Sequence, residues 1–246
     1  MENRYDDREF FDEYARMERS VRGLDGAGEW HMMRELFPDV RGKTVLDLGC
    51  GYGWHCAYAR ERGAASVLGI DGSRLMAAEA GRRSGGGGIT YSVCAIEDYP
   101  YPPEAFDLVL SNLALHYVED LAAVYRGVFR TLRPGGVFLF NIEHPTFTAG
   151  RAQQFAEDGT WPVENYFYPG ERETVFLGKR VVKYHHTLTQ ILGGLLDAGF
   201  VLEAVREAEP PEEWRAAMPE EMSRPMMLLV RARKCASAAE KARGVD

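Results

Sequence analysis

The stretch richest in chemistry is Val45-Leu46-Asp47-Leu48-Gly49-Cys50-Gly51-Tyr52-Gly53. An apolar run delivers an acid and then three glycines at alternate positions. Glycine lets the backbone turn sharply and approach a ligand closely. A second apolar run, Ser66-Val67-Leu68-Gly69-Ile70, ends in Asp71, eighteen residues beyond Gly53. A carboxylate at that place can accept hydrogen bonds from both hydroxyls of a ribose. Together they point to a ligand with an adenosine-like part. A dinucleotide loop requires G-x-G-x-x-G, whose last glycine lets the helix pack on the strand. Here the order is G-x-G-x-G, followed by Trp54. An indole at that place argues against a nicotinamide cofactor. So does Asp47, which would repel a pyrophosphate and suits a ligand carrying an ammonium group. A structural glycine turn without a ligand is the remaining reading, and the pairing with Asp71 in the right order disfavours it.

Six histidines are candidates for moving a proton. His55, His116 and His144 each fall where the chain leaves a strand at its carboxyl end, the edge at which open α/β sheets bind ligands. His116 and His144 are the strongest candidates for acceptor contact or proton removal. His185 and His186 follow a hairpin that could fold over that edge, and His31 lies on an N-terminal helix. No two of His55, His116 and His144 have the helical spacing of metal ligands, so no metal site is expected. Trp161, Tyr166, Phe167 and Tyr168 either line an apolar acceptor pocket or anchor the segment that carries them. Arg172 and Lys183 either pair with an anionic acceptor or sit in solvent.

The elements that must position these groups follow from periodicity. Residues 7–20 and 27–37 read as two amphipathic helices, the second closed by Pro38. Strands are expected at 44–48, 66–70, 89–93, 106–110 and 136–142, with helices over about 54–62, 73–83 and 119–132 between them. This alternation implies a parallel sheet with helices on both faces. Residues 146–172 are aromatic and Pro/Gly-rich without a period. A hairpin turning at Gly178-Lys179 is expected over 173–184, a helix over 187–198 capped by Gly199, and final strands at 200–209 and 225–234. The Ala-rich tail 235–246 is expected to fray.

The chain has 246 residues, 46% hydrophobic and 27% charged, with 29 Lys+Arg against 37 Asp+Glu and a net charge of -8. This is an ordinary globular composition, and its charge offers no global attraction for nucleic acid or anionic membranes. No apolar run approaches the ~20 residues of a membrane-spanning helix. The charged start is unlike a secretory signal, and none of the four cysteines forms a CxxC pair. The expected setting is the reducing cytoplasm.

Over residues 43–145 the chain resembles the class I S-adenosylmethionine-dependent methyltransferases. The resemblance rests on VLDLGCGYG, LGID, AIEDYPYPPEAFDLVLSNLALHYVED and LRPGGVFLF. The whole chain looks like a bacterial subgroup of small-molecule methyltransferases through FFDEYARMERS, GEWH, GWHC, LALHYV, EHPTFTA, WPVENYF, KYHHTLT and RPMMLL. The resemblance implies a Rossmann-like three-layer sandwich. Its sheet has seven mostly parallel strands with the last antiparallel, a helical cap at 1–42, a cofactor core at 43–145, a substrate-side insert at 146–186 and a C-terminal part at 187–234. It implies S-adenosylmethionine as cofactor, with Asp47, Gly49, Cys50, Gly51 and Gly53 along the methionine arm and Asp71 on the ribose. Gly72, Ser73, Ala95, Ile96 and Glu97 would surround the sugar and adenine, Ser111 would pass beneath the sulfonium, and Tyr14 would lie over the site. Ala95 stands where family members often carry an Asp for the adenine amino group. The expected reaction is methyl transfer to an O, N or C atom of a small molecule by a monomer or homodimer. Alternatives are an RNA methyltransferase, disfavoured because Ser111-Asn112-Leu113-Ala114 replaces the Asn/Asp-Pro-Pro-aromatic of amine-methylating enzymes, and a non-catalytic cofactor-binding regulator.

Overall fold

A computed structural model describes residues 3–150 and 153–235. The tail expected to fray lies outside them except for Cys235. The N-terminal segment holds α1 (Arg8–Tyr14), α2 (Glu18–Val21) and α3 (Trp30–Leu36). A single helix over 7–20 is therefore corrected: Met17 is extended, with φ -63 and ψ 146, and breaks it in two. The break turns Arg19 back toward buried Glu29, an ion pair that a straight helix would forgo.

The alternating series follows: β1 (Thr44–Leu48), α4 (Trp54–Glu61), β2 (Ser66–Asp71), α5 (Arg74–Ser84), β3 (Ile89–Val93), β4 (Phe106–Asn112), α6 (Leu121–Thr131) and β5 (Leu132–Glu143). Beyond it lie a one-turn α7 (Pro145–Thr148), the hairpin β6 (Gly170–Phe176) and β7 (Lys179–His185), α8 (Gly194–Asp197), β8 (Phe200–Glu207), α9 (Glu212–Arg215), α10 (Pro219–Ser223) and β9 (Met227–Lys234). The hairpin turns at Leu177-Gly178, both at positive φ, one residue earlier than the glycine pattern implies. The helix expected over 187–198 is a π turn (Thr189–Gly193) running into α8, and Gly199 ends it at φ +97.

The sheet order is β3-β2-β1-β4-β5-β9-β8. β1 to β5 are mutually parallel, and β9 runs antiparallel to both its neighbours. This is the seven-stranded Rossmann-like arrangement with its last strand reversed. Alternate residues of each strand feed two cores, as the two-residue period of a strand requires. Leu46, Val109, Phe138 and Phe140 pack on one face. Val45, Val67, Leu108 and Leu139 pack on the other. The sequence order reverses between β1 and β4, which opens a crevice at their carboxyl ends.

Candidate active site

Gly49, Gly51 and Gly53 have φ of +72, +52 and +77, a region that only glycine enters at little cost. Their surroundings differ. A Cβ on Gly49 would lie 2.3 Å from Ala114 Cβ, and one on Gly53 would lie 2.2 Å from the Tyr91 hydroxyl. A Cβ on Gly51 would meet nothing within 4 Å. Two glycines thus let the loop pack against β3 and the chain beyond β4, while the third faces open space. The Gly51 amide donates to Asp71 Oδ2 at 2.9 Å and the Ser73 amide donates to Oδ1 at 2.8 Å. A carboxylate has about four lone-pair sites, so one stays free on each oxygen. That matches a vicinal diol, and the open space at Gly51 matches the rest of a nucleoside-bearing ligand.

Asp47 is buried beneath the loop and accepts from Cys56 Sγ at 3.3 Å. Burial pushes its carboxyl up to about 6; the Cys56 contact opposes this and the Asp71 charge adds to it. Cys50 is buried in the same wall. Gly72 faces Asn3, and Ser73 caps α5 and donates to Asp6 Oδ1 at 2.7 Å, which binds the N-terminal segment down. That segment roofs the loop with rings: Tyr14 meets Tyr52 at 5.5 Å and Tyr5 at 5.7 Å. Ala95 lies beside Gly72, buried Ile96 lies near Gly49, and Glu97 is exposed. Ser111 is fully buried, and its hydroxyl donates to the Leu48 carbonyl at 2.9 Å, stapling β4 to β1.

Across the crevice, Leu113 holds φ +55, an uncommon conformation for a bulky residue, and so turns the chain off β4 into the Leu115–Tyr117 turn. His116 is buried there, with Nε2 3.9 Å from Glu143 Oε1 at the end of β5. Lys183 Nζ on β7 lies 2.5 Å from the same oxygen. Burial pushes the His116 imidazole down to about 4; the Glu143 charge opposes this, and Lys183 and His186 reinforce it. His116 Nδ1 and Glu143 Oε2 are buried without a hydrogen-bond partner among the described residues. Tyr117 reaches back to the roof, its hydroxyl 3.0 Å from that of Tyr5.

The structure does not bring His144 to this group. Glu143 and His144 are successive residues of extended chain, so their side chains leave on opposite sides. His144 pairs through Nδ1 with Thr146 at 2.8 Å and through Nε2 with Glu207 at 3.1 Å. The other histidines also hold structure: His185 bridges Thr148 and the Tyr166 carbonyl, His186 meets the Val118 carbonyl, His31 meets the Gly28 carbonyl, and His55 packs on Trp30. Arg172 is buried and spends its donors on backbone carbonyls of the insert, including Ala149 and Tyr168. Lys183, in contrast, is buried in the site rather than solvated.

Sequence reasoning missed a buried polar chain on the same edge. Arg19 donates to both oxygens of Glu29, Asn112 Nδ2 to Glu29 Oε1 at 3.1 Å, and Asn141 Nδ2 to Asn112 Oδ1 at 2.9 Å. Asn112 and Asn141 are polar residues closing apolar strands, a signal that was there to read. A groove lined by Phe37, Asp39, Arg41 and Arg62 lies at the opposite, amino edge of the sheet and shares no residue with the site.

The family described as "Methyltransferase domain" matches residues 46–140. An S-adenosylmethionine dependent methyltransferase from Mesorhizobium loti, solved at high resolution, superposes with a TM-score of 0.81 and 45% identity, covering 86% of this chain and 100% of that one. The chain belongs to the class I S-adenosylmethionine-dependent methyltransferases. An uncharacterised protein of Haemophilus influenzae is 30% identical over 94% of this methyltransferase and 96% of itself. A malonyl-[acyl-carrier protein] O-methyltransferase of Salmonella typhimurium is 40% identical over 97 residues, 39% of this chain and 38% of that protein. The methyltransferase is therefore an enzyme with S-adenosylmethionine as cofactor. Among its described residues no helix is long and apolar enough to cross a membrane.

Proposed function

We propose that this methyltransferase acts on a small-molecule acceptor whose reacting O, N or C atom sits between the glycine loop and the His116–Glu143–Lys183 group. The supporting observation is a pair of buried atoms without partners among the described residues, His116 Nδ1 and Glu143 Oε2. A buried polar group left unpaired is costly, and a bound acceptor would satisfy both. In this reading Asp71 takes the ribose hydroxyls, Gly51 and its neighbours line the methionine arm, and Asp47 faces the ammonium end. Arg19, held by Glu29 and close to Tyr14, gives that end a cation for the carboxylate.

The bound cofactor supplies a methyl group already activated on a sulfonium. The chain then has to align the acceptor, with reacting atoms ~3–3.5 Å apart, and exclude water. Tyr5, Tyr14 and Tyr117 provide that wall. A neutral imidazole can accept a hydrogen bond from an acceptor O–H or N–H. His116 is neutral at pH 7. Once it takes a proton, Glu143 beside Nε2 stabilises the imidazolium, and Lys183 fixes the carboxylate. The Salmonella relative methylates a malonyl group on oxygen; its match spans too little of either chain to carry that acceptor over.

S-adenosylhomocysteine release assayed on a panel of carboxylic acids, phosphate monoesters, phenols and amines tests the reading. His116→Ala is expected to retain S-adenosylhomocysteine affinity and to lose about 100-fold or more in turnover on any responsive acceptor, within the usual range for a general base. Undiminished turnover in that variant refutes the assignment.

A further inference from the structure

Residues from three separate motifs, none of them used by the transfer chemistry, meet in one place. EHPTFTA contributes Phe147, WPVENYF contributes Trp161, and RPMMLL contributes Arg224. The Arg224 guanidinium carbon lies 4.2 Å from the Trp161 ring centroid, 5.0 Å from that of Phe147 and 5.4 Å from that of Phe155. Phe147 and Trp161 stack with centroids 5.2 Å apart and planes at 10°. Trp161 is fixed in turn by its indole N–H, which donates to the Thr146 carbonyl at 2.9 Å. Rings suit the flat face of a guanidinium but accept none of its in-plane N–H bonds. Arg224 Nε and Nη1 are buried with no hydrogen-bond partner among the described residues.

Arg172 is the internal control. It too is buried in the insert region, and it fills its donors with backbone carbonyls such as those of Ala149, Glu171 and Tyr168. An arginine kept only to pin a loop would be satisfied in that way. Arg224 instead has its plane gripped and two buried donors unpaired among the described residues. Glu220 and Glu221 are the acids whose charges reach it, and among the described residues no ion pair joins either of them to it. The His144 amide, just past β5, donates to the Met226 carbonyl at 2.9 Å, two residues beyond Arg224, which places the cage at the carboxyl end of β5.

We propose that Arg224, clamped by Phe147, Phe155 and Trp161, is a binding site for an acidic group, carboxylate or phosphate, carried by the acceptor. The Nη2 amine stands between these two nitrogens, one of its N–H bonds parallel to that of Nε and the other to one on Nη1, so two neighbouring donors can meet two oxygens of such an anion in a bidentate pair. The rings around it would cover the carbon skeleton next to the acid. The inference adds an anchoring end to the acceptor reading above and depends on it only for the identity of the bound molecule.

The test is binding, not turnover. Trp161 is the reporter, and intrinsic fluorescence is titrated with inorganic phosphate, with malonate and with acetate, ionic strength being held constant with sodium chloride. A saturable response to at least one of the three is expected, and the strongest responder separates phosphate from carboxylate recognition. Arg224→Met should abolish it. Arg224→Lys, which keeps the charge but loses the fork, should weaken it about 10-fold, and this variant serves if the Met variant fails to fold. Trp161→Phe should lose the signal. An unchanged titration in Arg224→Lys and Arg224→Met, or no saturable response to any of the three anions in the parent enzyme, overturns the site. Anion binding without methylation of any acid would leave the site standing and count against the acceptor reading. Methylation of an acid with the same KM in Arg224→Lys would do the reverse.

Discussion

On the β1–β2 side of the carboxyl edge, the proposed ligand contact is one carboxylate, Asp71, held by the backbone amides of Gly51 and Ser73, all inside consecutive elements. On the β4–β5 side they are side chains from the turn after β4, the end of β5 and the hairpin, with His116, Glu143 and Lys183 brought from three separate stretches. The first side fits a ligand that every member of the family shares, because backbone geometry reads shape and leaves little to vary. The second fits a ligand that changes from enzyme to enzyme, because three side chains can be exchanged without disturbing the sheet. Perturbing the two sides should therefore separate cofactor binding from everything else.

The largest effect is expected on the acceptor side. Lys183 and Glu143 form a buried pair, with side chains 7% and 11% exposed. Lys183→Met leaves the Glu143 carboxylate buried and unpaired, a loss of about 3–5 kcal/mol by analogy with other buried pairs. Urea denaturation measures it, and a Lys183→Met/Glu143→Gln double variant should recover part of the loss. On the cofactor side, Asp71→Ala should weaken S-adenosylhomocysteine about 100-fold or more by calorimetry, as expected for two hydrogen bonds to a charged group. His116→Ala should change that affinity less than about 3-fold. A similar loss in both would erase the distinction between the two sides.

Smaller effects sharpen it. Gly49→Ala forces a Cβ into Ala114 and should cost about 1–3 kcal/mol of stability. Gly51→Ala meets open space and pays only its strained φ, about 1–2 kcal/mol, yet it should weaken S-adenosylhomocysteine more than it lowers stability. The smallest effect is in pH. Unfolded His116 titrates near 6.5 and the folded imidazole near 4, so the folded chain favours the neutral form. Its contribution is intact above pH 6.5 and is lost as the pH falls from there toward 4. Asp47, raised from 3.8 to about 6, acts oppositely: its contribution is present below 3.8 and fades as the pH rises through 6. Between pH 7.5 and 5.5, stability should therefore fall about 1 kcal/mol more steeply in the parent than in His116→Asn. Equal slopes would mean that the imidazole is not desolvated.

The same division explains how much could be read from the sequence. β1, β2 and the loop between them are local: an apolar run, glycines at alternate positions and Asp71 at a strand end signal their roles within thirty residues. The parallel series of strands was legible for that reason, while the reversed last strand came from the family resemblance. Glu143 was not, since an acid ending a buried strand carries no spacing signal until β7 brings Lys183 to it. Arg19 escaped because the apolar period of 7–20 continues through Met17, where tertiary pairing with Glu29 breaks the helix. His144 looked equivalent to His116 at a strand end; one residue of register sends it to Thr146 and Glu207 instead. Ser111 lies near the end of β4, and its hydroxyl is committed to Leu48.

A crystal structure of the enzyme with S-adenosylhomocysteine tests the central claim most directly. The account predicts both ribose hydroxyls within hydrogen-bond distance of Asp71 and the amino-acid arm in the open space at Gly51, with the sulfur turned toward His116. Density elsewhere, or a ribose out of reach of Asp71, would contradict it.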